Sequence, residues 1–302
     1  MDPARHRGRG LVPSRAFLLV NPRSGSGSPS AEELVAEAGA LGIEAHVLAE
    51  GEDAAELAGR AAEGGAPALG IAGGDGSLAA VAGVALERDR PFVVVPFGTR
   101  NHFARDLGLD ADDPLAALGA FQGQERQVDV GVVDGGVFLN NVSLGIYASF
   151  VHDPRRKTRN RLVAALRMLP AAFGRSRQPL SLVFDVDGSR EERQALIVLA
   201  ANNDYGGSSL AELGTRDRLD EGRLHVYVLE PLGRAAFVAL LGKAAQGRPD
   251  EAEGLEEWAC ERITIDARRS RVHAAIDGEP AVLAPPVELE VRPRALRVLT
   301  PA

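Results

Sequence analysis

The stretch Ala68-Leu69-Gly70-Ile71-Ala72-Gly73-Gly74-Asp75-Gly76-Ser77-Leu78 decides the fold. A short apolar run, read as a buried strand over Ala68 to Ala72, ends in a glycine cluster, and a helical pattern follows from Leu78 to Leu86. Glycines at such a turn let backbone N–H groups approach a phosphate closely, and the helix N-terminus adds partial positive charge. Asp75 inside the loop would repel a phosphate unless a divalent cation lay between them, so it points to a Mg²⁺-bound nucleotide. Taken alone, the same string also fits a tight strand-to-helix turn with an aspartate near its cap.

Upstream, Ala16 to Val20 reads as a buried strand stopped by Asn21-Pro22, and Ser30 with Glu33 forms a capping box for a helix ending near Gly42. Ile43 to Leu48 is a second strand, and Asp53 opens a helix over Ala54 to Glu63. Downstream, Phe92 to Val95 is a fourth strand, ending at Pro96-Phe97-Gly98-Thr99-Arg100-Asn101. Strands alternating with helices across short loops signal a parallel sheet covered by helices. Ligands of such sheets bind outside the carboxyl ends of the strands. The turns Asn21-Pro22-Arg23-Ser24-Gly25, Gly73 to Ser77, and Pro96 to Asn101 all leave such ends. Asn21, Ser24, Ser77, Thr99 and Asn101 therefore offer short polar groups to one site.

From Val128 onward the pattern changes to short runs separated by turns such as Asp134-Gly135-Gly136, Asp187-Gly188 and Asp277-Gly278, which predicts a mostly antiparallel β domain. Helical stretches interrupt it around Asn160–Phe173 and Arg234–Ala245. Residues 1–14 read as a disordered tail, 15–126 as the α/β domain and 127–291 as the β-rich domain. The chain has 302 residues, a formal net charge of -8 and one cysteine. The charge argues against a general nucleic-acid partner, and the lone Cys260 excludes an intrachain disulfide framework or multi-Cys zinc site. No apolar run approaches the roughly 20 residues that span a bilayer, and a cytoplasmic protein is expected.

Three motifs in this order, Asn-Pro-x-Ser-Gly, Gly-Gly-Asp-Gly-Ser and Pro-x-Gly-Thr-x-Asn, resemble the catalytic domain of the diacylglycerol kinase family, which includes bacterial lipid kinases and the sphingosine and ceramide kinases. The likeness continues through Phe103 to Gly108, Asn140 to Gly145, and Asp277-Gly278-Glu279. It implies a Rossmann-like parallel α/β nucleotide domain followed by an antiparallel β-sandwich-like domain. The last strand, about residues 292–302, would return to the first domain. It also implies ATP and Mg²⁺ bound between the domains, and phosphorylation of a lipid hydroxyl. By this resemblance Arg23, Gly25, Gly73, Gly74, Gly76 and Gly98 join the polar loop residues as nucleotide-binding positions. Glu279 is the implied general base, with Asp277 its partner, and Asp75 holds Mg²⁺–ATP. Asp217, Asp220 and Glu221 lie where some bacterial members hold a structural Mg²⁺, although a solvated acidic loop fits the same string. This chain has His102 where the family often has Asp, Ala79-Ala80 where it often has Asn-Glu, and Ala49 in place of a common threonine.

Between 155 and 177 the chain carries Arg155, Arg156, Lys157, Arg159 and four more arginines with no acid, alongside apolar residues at helical spacing. Such a basic amphipathic pattern suits an anionic membrane surface where a lipid kinase meets its substrate, and equally a solvated helix packed on the β domain. Peripheral membrane association is the expectation, and a homodimer is compatible with the sequence. Three rivals remain: an NAD kinase-like enzyme sharing the Gly-Gly-Asp-Gly loop, a dinucleotide-binding module matching Gly74 to Ala79, and a silent lipid-binding protein. The late Asp277-Gly278-Glu279 and the continuation after Asn101 favour the lipid kinase.

Overall fold

The computed structural model describes residues 15–24, 29–145, 180–186, 188–205, 215–233 and 254–301, with a few positions between 235 and 243. The basic stretch 155–177 and the tail 1–14 lie outside the described residues, as does most of the stretch expected as a helix at Arg234–Ala245.

The first half alternates strands β1 (Phe17–Val20), β2 (Glu44–Val47), β3 (Leu69–Gly73) and β4 (Phe92–Pro96) with helices α1 (Ala31–Ala40), α2 (Ala54–Glu63) and α3 (Asp75–Glu87). Two short helices follow, α4 (His102–Asp106) and α5 (Pro114–Ala117). The helix starts are set by side-chain caps. Ser30 and Glu33 close a reciprocal capping box, and Asp53 accepts from the Ala55 and Glu56 amides. Helix α3 differs, since its N-cap is Gly74 and no side chain caps it. It also begins three residues earlier than the apolar pattern predicts, so Asp75 is its first residue rather than part of a preceding loop.

β1 to β4 pair in parallel in the order β2-β1-β3-β4. Period-2 alternation gives the sheet two buried faces. Leu19, Ile71 and Val94 pack against α2 and α3, while Leu18, Val20, Val93 and Val95 face Leu34 and Ala38 of α1 and Leu118.

The second half contains β5 (Gln124–Val133), β6 (Gly136–Phe138), β7 (Asn141–Gly145), β8 (Leu180–Val186), β9 (Ser189–Ala195), β10 (Ile197–Asn202), β11 (Leu224–Leu229), β12 (Leu255–Cys260), β13 (Arg262–Ala267), β14 (Val272–Ile276), β15 (Glu279–Leu283) and β16 (Val287–Thr300). A six-stranded sheet runs β12-β11-β10-β7-β14-β15, and its pairs are antiparallel. Its inner face, with Val142, Val198 and Val226, packs on Phe184, Ile263 and Leu289 of the other sheet, making a sandwich core that includes buried Cys260. β9, β12 and β15 carry charged or proline residues at sheet edges, where apolar patterning is too weak to announce a strand.

β16 is the joint between the halves. The last strand is expected at about residues 292–302, but it begins at Val287 and is one strand of 14 residues. Its early part pairs antiparallel with β13, and Val298 and Leu299 pair parallel with β4. β5 runs beside it over most of its length, with a register shift between Arg292 and Leu296. Arg294, at φ 50°, sits at this irregularity, and its amide donates to buried Asp129 Oδ1 at 2.7 Å. The expected boundaries at 126/127 and 291/292 thus fall inside β5 and β16, which carry one ten-stranded sheet through both halves. This places the β6–β7 and β14–β15 turns opposite the carboxyl edge of the parallel sheet.

Candidate active site

Three loops meet at that edge. The Asn21 amide group donates to Ser77 Oγ at 2.9 Å, fastening the end of β1 to the first turn of α3, and Asn21 Oδ1 accepts from the Arg23 backbone at 3.1 Å. Ser24 N closes the turn on Asn21 O, while Gly25 lies outside the described residues. The loop after β4 is clasped by Asn101. Its side chain accepts from Gly98 N at 2.8 Å and donates to Gly98 O at 2.9 Å, with its own backbone left-handed at φ 51°. Gly98 in turn lies so close to Gly74 that a Cβ on Gly98 would strike the Gly74 Cα. Glycine at 98 is therefore a packing requirement of the two loops as well as a means for ligand approach. Thr99 is exposed on the outer turn, and Arg23 is exposed beside Pro22.

Asp75 is held tightly. Its Oδ2 accepts from His102 N at 3.2 Å, and its Oδ1 accepts from Phe103 N at 3.1 Å and from Asn140 Nδ2 at 3.3 Å. A carboxylate offers about four lone-pair sites, so roughly one remains for a cation or a water. Asp75 thus positions the start of α4 as much as it faces the cleft. Burial holds the His102 imidazole below its ordinary pKa, with the charge of Asp75 opposing that shift.

The β domain supplies the opposite wall. The Asp277 carboxylate accepts from the Leu139, Asn140 and Asn141 amides at 2.8, 2.8 and 3.0 Å. It is buried, with φ 47°, and burial pushes its pKa up to about 6 against those three donors. Asp277 therefore braces the β6–β7 turn and does not present a base to a substrate. The expectation of an Asp277–Glu279 base pair is corrected in this respect. Glu279 opens β15, is exposed, and leans over the other domain, where a Cβ built on Gly76 would meet the Glu279 side chain, its Cδ at 2.7 Å. One carboxylate from the β sheet thus hangs above the uncapped amides at the start of α3.

The loop at 217–222 does not form the expected cation cage. Asp220 is bonded by Arg218 at 3.1 and 3.2 Å and by Arg294 at 3.0 Å. Glu221 turns away to accept from Asp204 N at 3.2 Å and lies 3.4 Å from His225 Nε2. Asp217 is exposed. Cationic side chains already neutralise the acid that was to hold a cation. Among the described residues, the group whose ligand atoms fall within 4.8 Å of one another is Asp204, His225 and Glu257, which adjoins the expected set only through Glu221.

Sequence reasoning missed the polar groups that tie the halves together, chiefly Asp106 and Arg216. Their side chains are 0% exposed and joined by an ion pair of 2.6 Å. Asp106 lay within the quoted Phe103–Gly108 segment but carried no assigned role, and no local pattern marks Arg216, because each completes the other only after folding. Asn140 lay within a quoted motif, but its bond to Asp75 spans 65 positions.

Comparison with known proteins agrees with this arrangement. Residues 15–133 match the family description "Diacylglycerol kinase catalytic domain", and residues 149–300 match "YegS C-terminal NAD kinase beta sandwich-like domain". The chain is 28% identical over 301 residues to a diacylglycerol kinase of Mycobacterium tuberculosis, covering 95% of each. It is 27% identical over 224 residues to a diacylglycerol kinase of Bacillus subtilis, covering 71% of each. In fold it resembles a crystal structure of a diacylglycerol kinase from Bacillus anthracis, with a TM-score of 0.68, 19% identity, and coverage of 95% of this chain and 97% of that one. Two family matches spanning nearly the whole chain, with the loops and the carboxylate wall meeting at one cleft, lead to one assignment: the chain belongs to the diacylglycerol kinase catalytic-domain family of lipid kinases.

Proposed function

We propose that this chain is an ATP-dependent lipid kinase that transfers the γ-phosphoryl group of ATP to a hydroxyl of a diacylglycerol-like lipid, with Glu279 as general base. The observation that carries the reading is Glu279 over Gly76, a carboxylate of one domain facing the phosphate-binding helix start of the other. The residues present fit a polyphosphate. The first amides of α3 have no side-chain cap, Gly74 and Gly98 keep the approach clear, and the helix start favours an anion. Mg²⁺, when bound, would offset phosphate charge and polarise the transferring group, and the remaining lone pair of Asp75 fits a contact to it directly or through water.

The α3 amides and the Asn101–Gly98 loop orient the triphosphate. Glu279 takes the proton of the lipid hydroxyl as its oxygen bonds to the γ-phosphorus, and the bond from that phosphorus to the β–γ bridging oxygen breaks, releasing ADP. The lipid is met at a membrane surface, with the basic stretch 155–177 as the contact and the protein held peripherally on the cytoplasmic side. Among the described residues no helix is long and apolar enough to cross a membrane.

Purified protein incubated with Mg²⁺, γ-labelled ATP and a panel of diacylglycerol, ceramide, sphingosine and NAD tests the reading. A labelled lipid is the expected product. Labelled NADP, or ATP binding with no labelled lipid, overturns it.

A further inference from the structure

We infer that Arg216 is a positioning residue for Asp75, the aspartate at the start of the phosphate-facing helix α3, acting through Asn140 across the domain junction. This deepens the proposed reading of the cleft and rests on it for its kinetic consequence. The Arg216 guanidinium is fully buried and all five of its N–H groups are used. Nε and one Nη2 hydrogen bond to Asp106 Oδ2 at 2.8 and 2.6 Å, and the second Nη2 hydrogen bonds to Asn140 Oδ1 at 2.8 Å. The two Nη1 hydrogens go to the carbonyls of Leu139 and Asn202 at 2.8 and 2.6 Å. The Arg216 backbone amide completes the hold by donating to Asp106 Oδ1 at 2.8 Å.

These partners come from both sides of the cleft. Asp106 ends α4 of the nucleotide domain, whereas Leu139, Asn140 and Asn202 belong to the β domain. The guanidinium also lies between two rings, 6.0 Å from the centroid of Phe103 on the first side and 5.4 Å from that of Tyr205 on the second. A planar fork with five fixed donors suits this position, and a lysine ammonium, with three donors on a flexible stem, does not.

The chemical consequence lies one bond further on. Asn140 has one carbonyl and one amino group. With Oδ1 occupied by a cationic donor, the side-chain amide is fixed in the orientation that sends Nδ2 toward Asp75 Oδ1 at 3.3 Å. Asp75 also receives the amides of His102 and Phe103, and α4 ends in the same Asp106 that grips Arg216. Asp75, α4, Asp106, Arg216 and Asn140 therefore form a closed ring of contacts around one carboxylate. Arg216 touches neither phosphate loop, yet it sets the donor that orients Asp75.

Two variants separate positioning from plain stability. Asn140→Ala removes the last link, and with it one of the five guanidinium acceptors, while leaving α4, the other four bonds of the Arg216 guanidinium and the Asn140 backbone bonds in place. Asp106→Leu/Arg216→Met replaces both buried charges together, a change that commonly leaves stability near the parent value, whereas removing one alone strands a buried charge. The readouts are thermal melting, kcat and the KM for ATP, and amide hydrogen exchange at His102 and Phe103, whose N–H groups report on Asp75. Exchange at these two amides is expected to accelerate in both variants. With melting temperatures within a few degrees of the parent, kcat is expected to fall about 10–100-fold, as for loss of other groups that orient a ligand-binding carboxylate. Combining the variants should add little, because both cut one chain. Unchanged exchange at His102 and Phe103 in Asn140→Ala overturns the inference, and so do losses that simply multiply or that track melting temperature. If the parent phosphorylates no lipid, the kinase reading has failed, and the exchange experiment still decides the link between Arg216 and Asp75.

Discussion

Asn101 grips Gly98 with both ends of its side-chain amide, one bond to the backbone N–H and one to the backbone carbonyl. The clasp presses Gly98 onto Gly74 and so sets the spacing of two loops that leave different strands. Asn tolerates the left-handed backbone that position 101 requires, as does glycine. Asn101→Gly therefore keeps the backbone conformation and deletes only the clasp. It should cost about 1–2 kcal/mol of stability, the net worth of two hydrogen bonds. It should also raise the KM for ATP several-fold with a smaller change in kcat, since the loops hold the nucleotide before and during transfer. Steady-state kinetics at saturating lipid check this, and an unchanged KM would separate the clasp from nucleotide binding.

Asp277 makes stability depend on pH in a direction opposite to that of a salt-bridged acid. Its folded pKa is raised to about 6 from 3.8, chiefly by burial. Between those values the folded chain binds a proton that the unfolded chain releases. The stability this adds is fully present below about 3.8 and is lost as pH rises through about 6. From pH 7 to pH 5 the parent should gain about 1 kcal/mol relative to Asp277→Asn, which cannot titrate. Urea denaturation of both proteins across this range is the measurement. A difference that shrinks toward pH 5 would show that the three amide donors outweigh burial.

The basic stretch leads to a prediction from charge alone. Replacing Arg155, Arg156, Lys157 and Arg159 with Gln should weaken sedimentation with anionic vesicles while sparing activity on detergent-dispersed lipid. Each basic residue near an anionic surface contributes about 1 kcal/mol, so four change the partition strongly at low salt and less at physiological salt. Equal vesicle binding by both proteins at low salt would assign the stretch to a solvated face.

The parallel half of the fold was legible because its signals are local. The Ser30–Glu33 box, the Asp53 cap and the apolar runs of β1, β3 and β4 each lie within one short window. The same holds for the three loops, whose glycines and amides mark the carboxyl edge of the sheet. The second half was legible as a series of strands, and the edge strands β9, β12 and β15 escaped because their solvent-facing charges dilute the alternation. What did not show was the long-range polar pairing. The family resemblance implied Asp277 as the partner of Glu279, two residues away, yet the turn sends one carboxylate into buried amides and the other out across the cleft. Asp220 read as a cation ligand because neighbouring Arg218 and distant Arg294 were not expected to turn onto it. A residue type indicates what chemistry it can do, and the tertiary partner decides whether that capacity is already used.

Glu279 provides the sharpest test, because it can be silenced in two ways that differ in everything except the proposed role. A lipid hydroxyl is a weak nucleophile at neutral pH, and a carboxylate that accepts its proton in the transition state typically contributes 10²–10⁴-fold. Glu279→Gln keeps the size and hydrogen-bonding capacity of the side chain and removes its basicity. It should lower kcat by about that factor and leave ATP affinity close to the parent value, since the lost interaction belongs to the transition state. Gly76→Ala leaves Glu279 chemically intact, but the new methyl group occupies the space of the Glu279 Cγ, Cδ and Oε1. The glutamate is exposed and its side chain flexible, so it should swing aside at little cost to the fold, and position 76, in the first turn of α3, has an ordinary helical backbone that alanine adopts without strain. Gly76→Ala should therefore melt near the parent temperature and lose kcat as Glu279→Gln does. The double variant should be little worse than either single one, because a displaced base and a neutral one are equally idle. Near-parental turnover by Glu279→Gln on a confirmed lipid substrate would give the proton to another group or to solvent. A loss in Gly76→Ala that multiplied with that of Glu279→Gln would show that the methyl group blocks the phosphates rather than the glutamate.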